Sequence, residues 1–481
     1  MNKKNILIIG GGVSGLSCGI YAQKYGFNTT ILEKTNASGG NLTGWYRNDC
    51  YIDNCIHWLN GSKNGNYLNN LWKEVGAIND KTEFYESNFF YASEYNNNFF
   101  GLSKNLLETK QNMLKYCKED EKQIEKFIKA CLTCCKFLEA KNGLTKIHYF
   151  LKMFSYYGNK NLFSVAKMCK TTHLKKFFTD FILGEYSIYV LILAYCSFVI
   201  GDGKVLVDGS LNMAKRISNQ YLKLGGNLIT SSEATKVIVR KQKIVSVETK
   251  NGEIFKPDYV VFACDPKITF EKLLKQELMP KSLFQTYEKR KNYPIISSFH
   301  LAYDVSLKKI DIEDAFVFDC EPIKIGATNY DRLMVKNYDY GKNFAPKGHS
   351  VLQIFILQRE KDYDYFESLS KKEYKNEKNK ISEQITTALL KRFPNLKEKI
   401  TLIDCWTPLT YTHYFNAYKG SYMTFGITNK IRLNQVPSKI NGLKNAYLAT
   451  QWQTLFGGLP NALMQGKNCA QKIYKSTKKT A

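Results

Sequence analysis

Three glycines, Gly10, Gly12 and Gly15, stand in a Gly-x-Gly-x-x-Gly spacing directly after the apolar run Asn5–Ile9. Each has its own steric task. The first permits a tight strand-to-helix turn, the second lets a pyrophosphate approach the backbone, and the third lets helix and strand pack closely. The amides around Val13 and Ser14 open the next segment, where a helix dipole favours phosphate charge. Glu33 closes a second apolar run, eighteen residues after Gly15, with Lys34 beside it. A carboxylate at that strand end accepts hydrogen bonds from ribose hydroxyls. The pattern predicts a dinucleotide site, and it does not by itself separate NAD from FAD. The plainer alternative is a glycine-rich turn beside a solvated Glu33.

The elements that must position these residues are legible nearby. Asn5–Ile9 reads as a buried parallel strand, Leu16–Tyr25 has helical spacing, and Thr29–Glu33 reads as a second strand. From about Lys104 to Tyr195 the chain is mostly helical, with long Lys- and aromatic-rich amphipathic stretches. Leu228–Thr230, Ala234–Val239, Ile244–Thr249 and Tyr259–Ala263 read as short strands, with a hairpin turn at Asn251-Gly252. Further strands are expected at Ile295–Tyr303, Val351–Leu357 and Ala446–Ala449, with helices over Ser382–Arg392 and from Gly457-Gly458 to about Lys472. The expected fold class is α/β, a Rossmann-like dinucleotide domain interleaved with an α+β substrate domain. Residues 1–61, 203–290 and 440–481 would form the first, and 62–202 and 291–439 the second.

After Glu33 the chain continues Lys34-Thr-Asn-Ala-Ser-Gly39-Gly40-Asn41, and here it resembles the amine oxidase and phytoene desaturase superfamily of FAD enzymes. Tyr51-Ile-Asp53-Asn-Cys55-Ile-His57-Trp58 resembles the Asp-x-Gly-Ile-His segment of retinol saturases and carotenoid isomerases, with Cys55 in place of a glycine. Val207–Leu211 with Leu224-Gly-Gly226, Ala263-Cys-Asp265-Pro266, Thr407–Tyr414, Gly420–Gly426 and Ala446–Pro460 continue the likeness to about residue 472. The resemblance implies FAD as cofactor. It places Gly39, Gly40, Asn41, Val237, Gln451, Gly458 and Leu459 near that cofactor, alongside the residues of the first motif. His57 is the single candidate for a group touching flavin or substrate; the catalytic residue is otherwise open. For Asp265 and Pro266 a helix N-cap and first-turn pair is the preferred reading.

The composition suits a globular protein, with 44% hydrophobic and 23% charged residues among 481. Formal net charge is +26, from 69 Lys+Arg against 43 Asp+Glu. Compositional drift accounts for it best, since the lysines sit among Asn, Ile and Tyr, as in Lys371–Lys380 and Lys475–Lys479. A peripheral contact with an anionic membrane surface is the second reading. No arginine-rich patch or recognition-helix pattern favours nucleic acid. Thirteen cysteines are scattered without disulfide-like pairing, and Met1–Leu7 does not read as a signal peptide. A cytoplasmic location, peripheral to the inner membrane face if membrane contact is made, is the expectation. Cys131, Cys134 and Cys135 lack a second ligand pair, so no metal is expected. The apolar run Tyr186–Ile200 is too short to span a bilayer.

A flavin takes up hydride at its ring while the protein supplies position and excludes water, which suits a chain with no Ser/His/Asp or paired-carboxylate signature. Leu459 follows Gly458, where amine oxidases of the superfamily carry one member of an aromatic cage. The aromatic-rich Phe99–Ile200 and Ile295–Phe425 would frame an apolar pocket. Desaturation, saturation or isomerisation of carbon–carbon bonds in an isoprenoid, carotenoid-like or unsaturated lipid is therefore the leading expectation. A flavin amine oxidase making imine and peroxide, and a lipid-binding flavoprotein with structural FAD, are the alternatives. Oligomeric state is not legible.

Overall fold

A computed structural model describes residues 3–289, 292–428, 436–454 and 457–478. The expected boundary at 290/291 and the tail lysine Lys479 lie outside the described residues.

The N-terminal strand Asn5–Ile9 is at the centre of a five-stranded parallel sheet. Its neighbours are Tyr259–Phe262 and then Ala446–Leu448 on one side, Asn28–Leu32 and then Asn227–Ile229 on the other. Alternation along one strand feeds two cores. Ile6 and Ile8 pack with Leu16, Ile20, Ile217 and Leu463 from the helices Val13–Lys24, Gly209–Lys223 and Gly458–Lys478. Leu7 and Ile9 instead meet Ile244 and Val247 of a three-stranded antiparallel sheet, Ala234–Arg240, Lys243–Thr249 and Ile254–Phe255. Asn251-Gly252 does form the turn between its last two strands, with Gly252 at φ 84°.

A seven-stranded mixed sheet forms the second layer. Its order is Ile400–Trp406, Ser297–Val305, Ser350–Gln358, Thr328–Asn337, Ala315–Ile325, Phe89–Tyr95 and Asn98–Ser103. One face, with Leu301, Phe318, Leu333, Val335 and Ile354, packs beneath Ile381, Ile385 and Leu389 of the helix Lys371–Arg392. The opposite face turns toward the helices between Leu106 and Val199. The apolar run Tyr186–Ile200 becomes the helix Ile188–Val199, buried against Phe127 and Phe177. The expected α/β class holds.

Two elements depart from the sequence expectation. The helix expected at 382 begins at Lys371, because Ser370 and Glu373 form a reciprocal cap that starts it eleven residues earlier. The strand Ala315–Ile325 carries Asp319, Glu321 and Pro322, which hide its period, and its pairing slips between Asp319 and Ile323 where Pro322 has no donor to give. All thirteen cysteines are free thiols.

Candidate functional site

A cavity of about 690 Å³ runs from the C-terminal end of the parallel sheet into the helical layer. The glycine turn forms one end. Gly10 has φ 107°, open to glycine alone without strain. A Cβ on Gly12 would meet no protein atom closer than 3.9 Å, so that position faces open cleft. A Cβ on Gly15 would lie 2.0 Å from the Gly10 carbonyl oxygen, so Gly15 serves packing and not the cleft. Val13 and Ser14 open the helix on the cavity wall, and the Ser14 hydroxyl donates to the Ala449 carbonyl.

Glu33 is pinned, not solvated. One carboxylate oxygen accepts the Gly11 N–H at 2.7 Å, and the other accepts the Thr35 N–H and hydroxyl at 2.9 Å each. The acid therefore clamps the turn it follows and still faces the cavity. Lys34 is occupied as well: its Nζ donates to the His413 carbonyl and to Asn416 Oδ1, both at 2.8 Å, and burial lowers its amine. The second glycine pair lies against the first loop, with the Gly39 N–H donating to the Gly11 carbonyl at 2.8 Å. Asn41 Nδ2 donates to the Tyr422 carbonyl at 3.3 Å, whereas its buried Oδ1 has no protein donor among the described residues.

The C-terminal motif closes the same end. Gln451 Oε1 accepts the Gly458 N–H at 2.7 Å, while Gly457 and Gly458 hold φ 49° and 80°. Leu459 lines the wall beside them. Val237 pairs with Val247, and its side chain packs toward the core of Leu7 and Leu32. Glu233 and Ala234, where the same strand begins, line the cavity. Asp265 caps the turn at Pro266 by accepting the Lys267 N–H at 2.8 Å, and burial pushes its carboxyl up to about 6.

His57 lines the cavity. Burial, with Lys336 adding to it, depresses its imidazole from 6.5 to about 3, so the ring is neutral. It packs 4.8 Å from the Phe355 ring, and His300 packs at 4.8 Å from the same ring. His300 lies flat on Trp406 at 4.4 Å and shares its Nε2 with Ser298 at 2.7 Å and Tyr411 at 3.2 Å. Cys55, where the related segment has glycine, lines the wall and donates its N–H to Asp53. Beyond His57 the wall is apolar: Trp58, Phe90 and Phe181 pack edge and face at 5.0–5.9 Å, followed by Val190, Leu193 and Leu357.

Sequence reasoning missed Lys336 and Tyr422, both on the wall. A lysine at an alternating position of the apolar stretch Leu333–Val335 was the available signal for the first. The arrangement can hold a dinucleotide across two glycine loops and seat an apolar ligand against its far end, away from water. Among the described residues no group of His, Cys, Asp or Glu is placed to hold a metal ion.

The open space at Gly12 and the orphaned Asn41 Oδ1 fit a flavin dinucleotide, and comparison with known proteins agrees. The model of the flavin containing amine oxidoreductase family matches residues 13–474. Prolycopene isomerase 1 of an Oncidium hybrid cultivar is 24% identical over 456 residues, covering 86% of this chain and 74% of that one. The 15-cis-phytoene desaturase of Glycine max is 22% identical over 490 residues, covering 98% and 80%. Putrescine oxidase bound to putrescine shares the fold with a TM-score of 0.62 at 13% identity, covering 98% of this chain and 99% of that one. The chain belongs to the flavin-containing amine oxidoreductase family, with FAD as its cofactor.

Proposed function

We propose that this enzyme desaturates, saturates or isomerises carbon–carbon bonds of a hydrophobic polyene or unsaturated lipid. The observation that carries the reading is the apolar chamber of Trp58, Phe90, Phe181, Val190 and Leu193 continuous with the dinucleotide cleft. FAD, when bound, supplies the hydride acceptor or donor. The Gly12 and Gly39–Gly40 loops would take its pyrophosphate, Glu33 its ribose, and Asn41, Gln451 and the Gly458–Leu459 turn its flavin end. The chain's other residues orient the ligand and exclude water. Neutral His57 offers a hydrogen bond without a charge. Leu459 in place of an aromatic cage member, and Lys336 on the wall, both disfavour a protonated amine.

The proposed partner surface is an anionic membrane. The helix Gly143–Tyr157 exposes Leu144 (83%), Ile147 (58%) and Leu151 (61%) on one side, among the exposed lysines Lys141, Lys146, Lys152 and Lys160. It follows the helix Glu121–Glu139, whose Leu138 lines the cavity, so a docked bilayer would lie near the apolar end. No helix among the described residues is long and apolar enough to cross a membrane.

Anaerobic titration of the purified yellow protein tests the reaction. Bleaching of the flavin by carotenoids or unsaturated lipids supports the proposal. Bleaching by amines alone makes it an amine oxidase, and a flavin that answers to neither leaves a lipid-binding role.

A further inference from the structure

Lys336 is placed on the cavity wall by strand register. In Thr328–Asn337, Leu333 and Val335 enter the core beneath the helix Lys371–Arg392. Met334 and Lys336 therefore take the other face, where Met334 pairs with Phe355 and Lys336 with Gln353. Both line the cavity. Lys336 is 5% exposed, yet its ammonium makes no hydrogen bond or ion pair with another described residue. Its Nζ lies 5.9 Å from the centre of the Tyr338 ring.

A buried amine on an apolar wall needs hydrogen-bond acceptors, because leaving its donors bare costs free energy. Asp53 and Asp314 are near enough to oppose the lowering of its amine by burial. Neither closes to an ion pair, and both are engaged elsewhere. Asp53 accepts from Ser210 and Cys55, and Asp314 accepts the Tyr85 hydroxyl at 3.0 Å. Two carboxyl groups thus already stand near the amine, and what it lacks among the described residues is an acceptor atom in contact. Neutral His57 shares the wall with it, and Met334, Phe355 and Leu357 are apolar neighbours there.

We propose that Lys336 determines substrate specificity by donating a hydrogen bond to a neutral oxygen, a hydroxyl or carbonyl, carried by an otherwise apolar polyene or unsaturated-lipid substrate. The inference rests on the reading of the cavity as a hydrophobic substrate site. The ligand is thus an oxygenated lipid, its hydrocarbon part seated along Phe90, Phe181 and Leu193.

The test compares three polyenes of one chain length, the hydrocarbon, its terminal alcohol and its terminal carboxylic acid, by perturbation of the flavin spectrum of the holoenzyme. The alcohol is expected to bind at least about tenfold more tightly than the hydrocarbon, with the acid no tighter than the alcohol. Lys336→Met should remove the preference while hydrocarbon affinity stays within about twofold. Lys336→Gln, which keeps an amide donor, should retain part of it. Flavin content and melting temperature verify that each variant folds, and Lys336→Gln carries the comparison if Lys336→Met does not. Equal binding of alcohol and hydrocarbon by the parent, or a preference that survives Lys336→Met, overturns the assignment of Lys336 alone. A preference for the acid overturns the neutral-oxygen reading. Binding of none of the three removes the substrate reading together with it.

Discussion

Ser210 grips both oxygens of Asp53: its N–H donates to Oδ2 and its hydroxyl to Oδ1, each at 2.6 Å. The same hydroxyl oxygen accepts the Ile56 N–H at 3.0 Å, and Asp53 Oδ1 also takes the Cys55 N–H at 3.0 Å. Two sequence motifs 157 residues apart are thereby locked together at the segment that ends in His57. The carboxylate is buried and its pKa is raised by that burial, so its donors carry the arrangement.

Ser210→Ala removes the hydroxyl from both Asp53 and Ile56. A buried N–H and one carboxylate oxygen lose a partner, at a cost of about 1–3 kcal/mol. Denaturant unfolding of the holoprotein should show that loss. A change under about 0.3 kcal/mol would mean that Ser210 merely fills space.

Gly12 and Gly15 should fail in different ways. Gly12→Leu places its side chain in open cleft, so the protein should fold with an unchanged far-ultraviolet spectrum and come away colourless. Gly15→Val drives a Cβ into the Gly10 carbonyl and should give little folded protein. A Gly12→Leu protein as yellow as the parent would misplace the cofactor.

Glu33→Ala leaves the Gly11 and Thr35 donors without their acceptor and removes the one proposed for the cofactor's ribose. FAD affinity should fall by about 1.5–3 kcal/mol, and Glu33→Gln should recover part of it. Equilibrium dialysis of deflavinated protein reads both. Equal affinity in all three proteins would free Glu33 from any role with the cofactor.

The imidazoles of His57 and His300 both lie below their ordinary value of 6.5, through burial first, with Lys336 adding to it at His57 and His57 at His300. Both should show neutral-ring resonances throughout about pH 5 to 8, with assignment by His57→Gln and His300→Gln. The unfolded chain binds protons at these residues first as pH falls below 6.5. Stability therefore declines from there toward the folded value of His57 near 3 and is unaffected by them above neutrality. A titration midpoint for His57 between about pH 6 and 7 would contradict its burial.

Much of the dinucleotide end was legible because its residues do separate steric jobs at fixed spacing. Gly10, Gly12, Gly15 and Glu33 need no distant partner to be recognised. The rest depends on contacts that no local pattern encodes. Val237 came from resemblance alone, and which residues of its strand line the cleft, Glu233 and Ala234 where it begins, is set by the angle at which the strand leaves. Lys34 was read with Glu33 at the strand end, and the distant loop of His413 and Asn416 takes its amine. Lys336 needed the register of a strand whose neighbour Ala315–Ile325 is broken by Pro322. Leu144, Ile147 and Leu151 lie within the amphipathic stretches between Lys104 and Tyr195, and only tertiary packing shows that nothing covers them.

That uncovered face supports the last prediction. Burying apolar side chains in the interface and bringing lysines to anionic headgroups act together, and only the second is screened by salt. The holoprotein should float with vesicles containing phosphatidylglycerol, less with pure phosphatidylcholine, and less again at high salt. Leu144→Glu with Leu151→Glu should abolish flotation, because both side chains already face solvent and their replacement leaves the core intact. Flavin content and melting temperature should therefore match the parent. Turnover of a lipid supplied in vesicles should fall with flotation, while turnover of the same lipid in detergent should not. A parent protein that stays at the bottom of the gradient at low salt would show that the face meets something other than a bilayer.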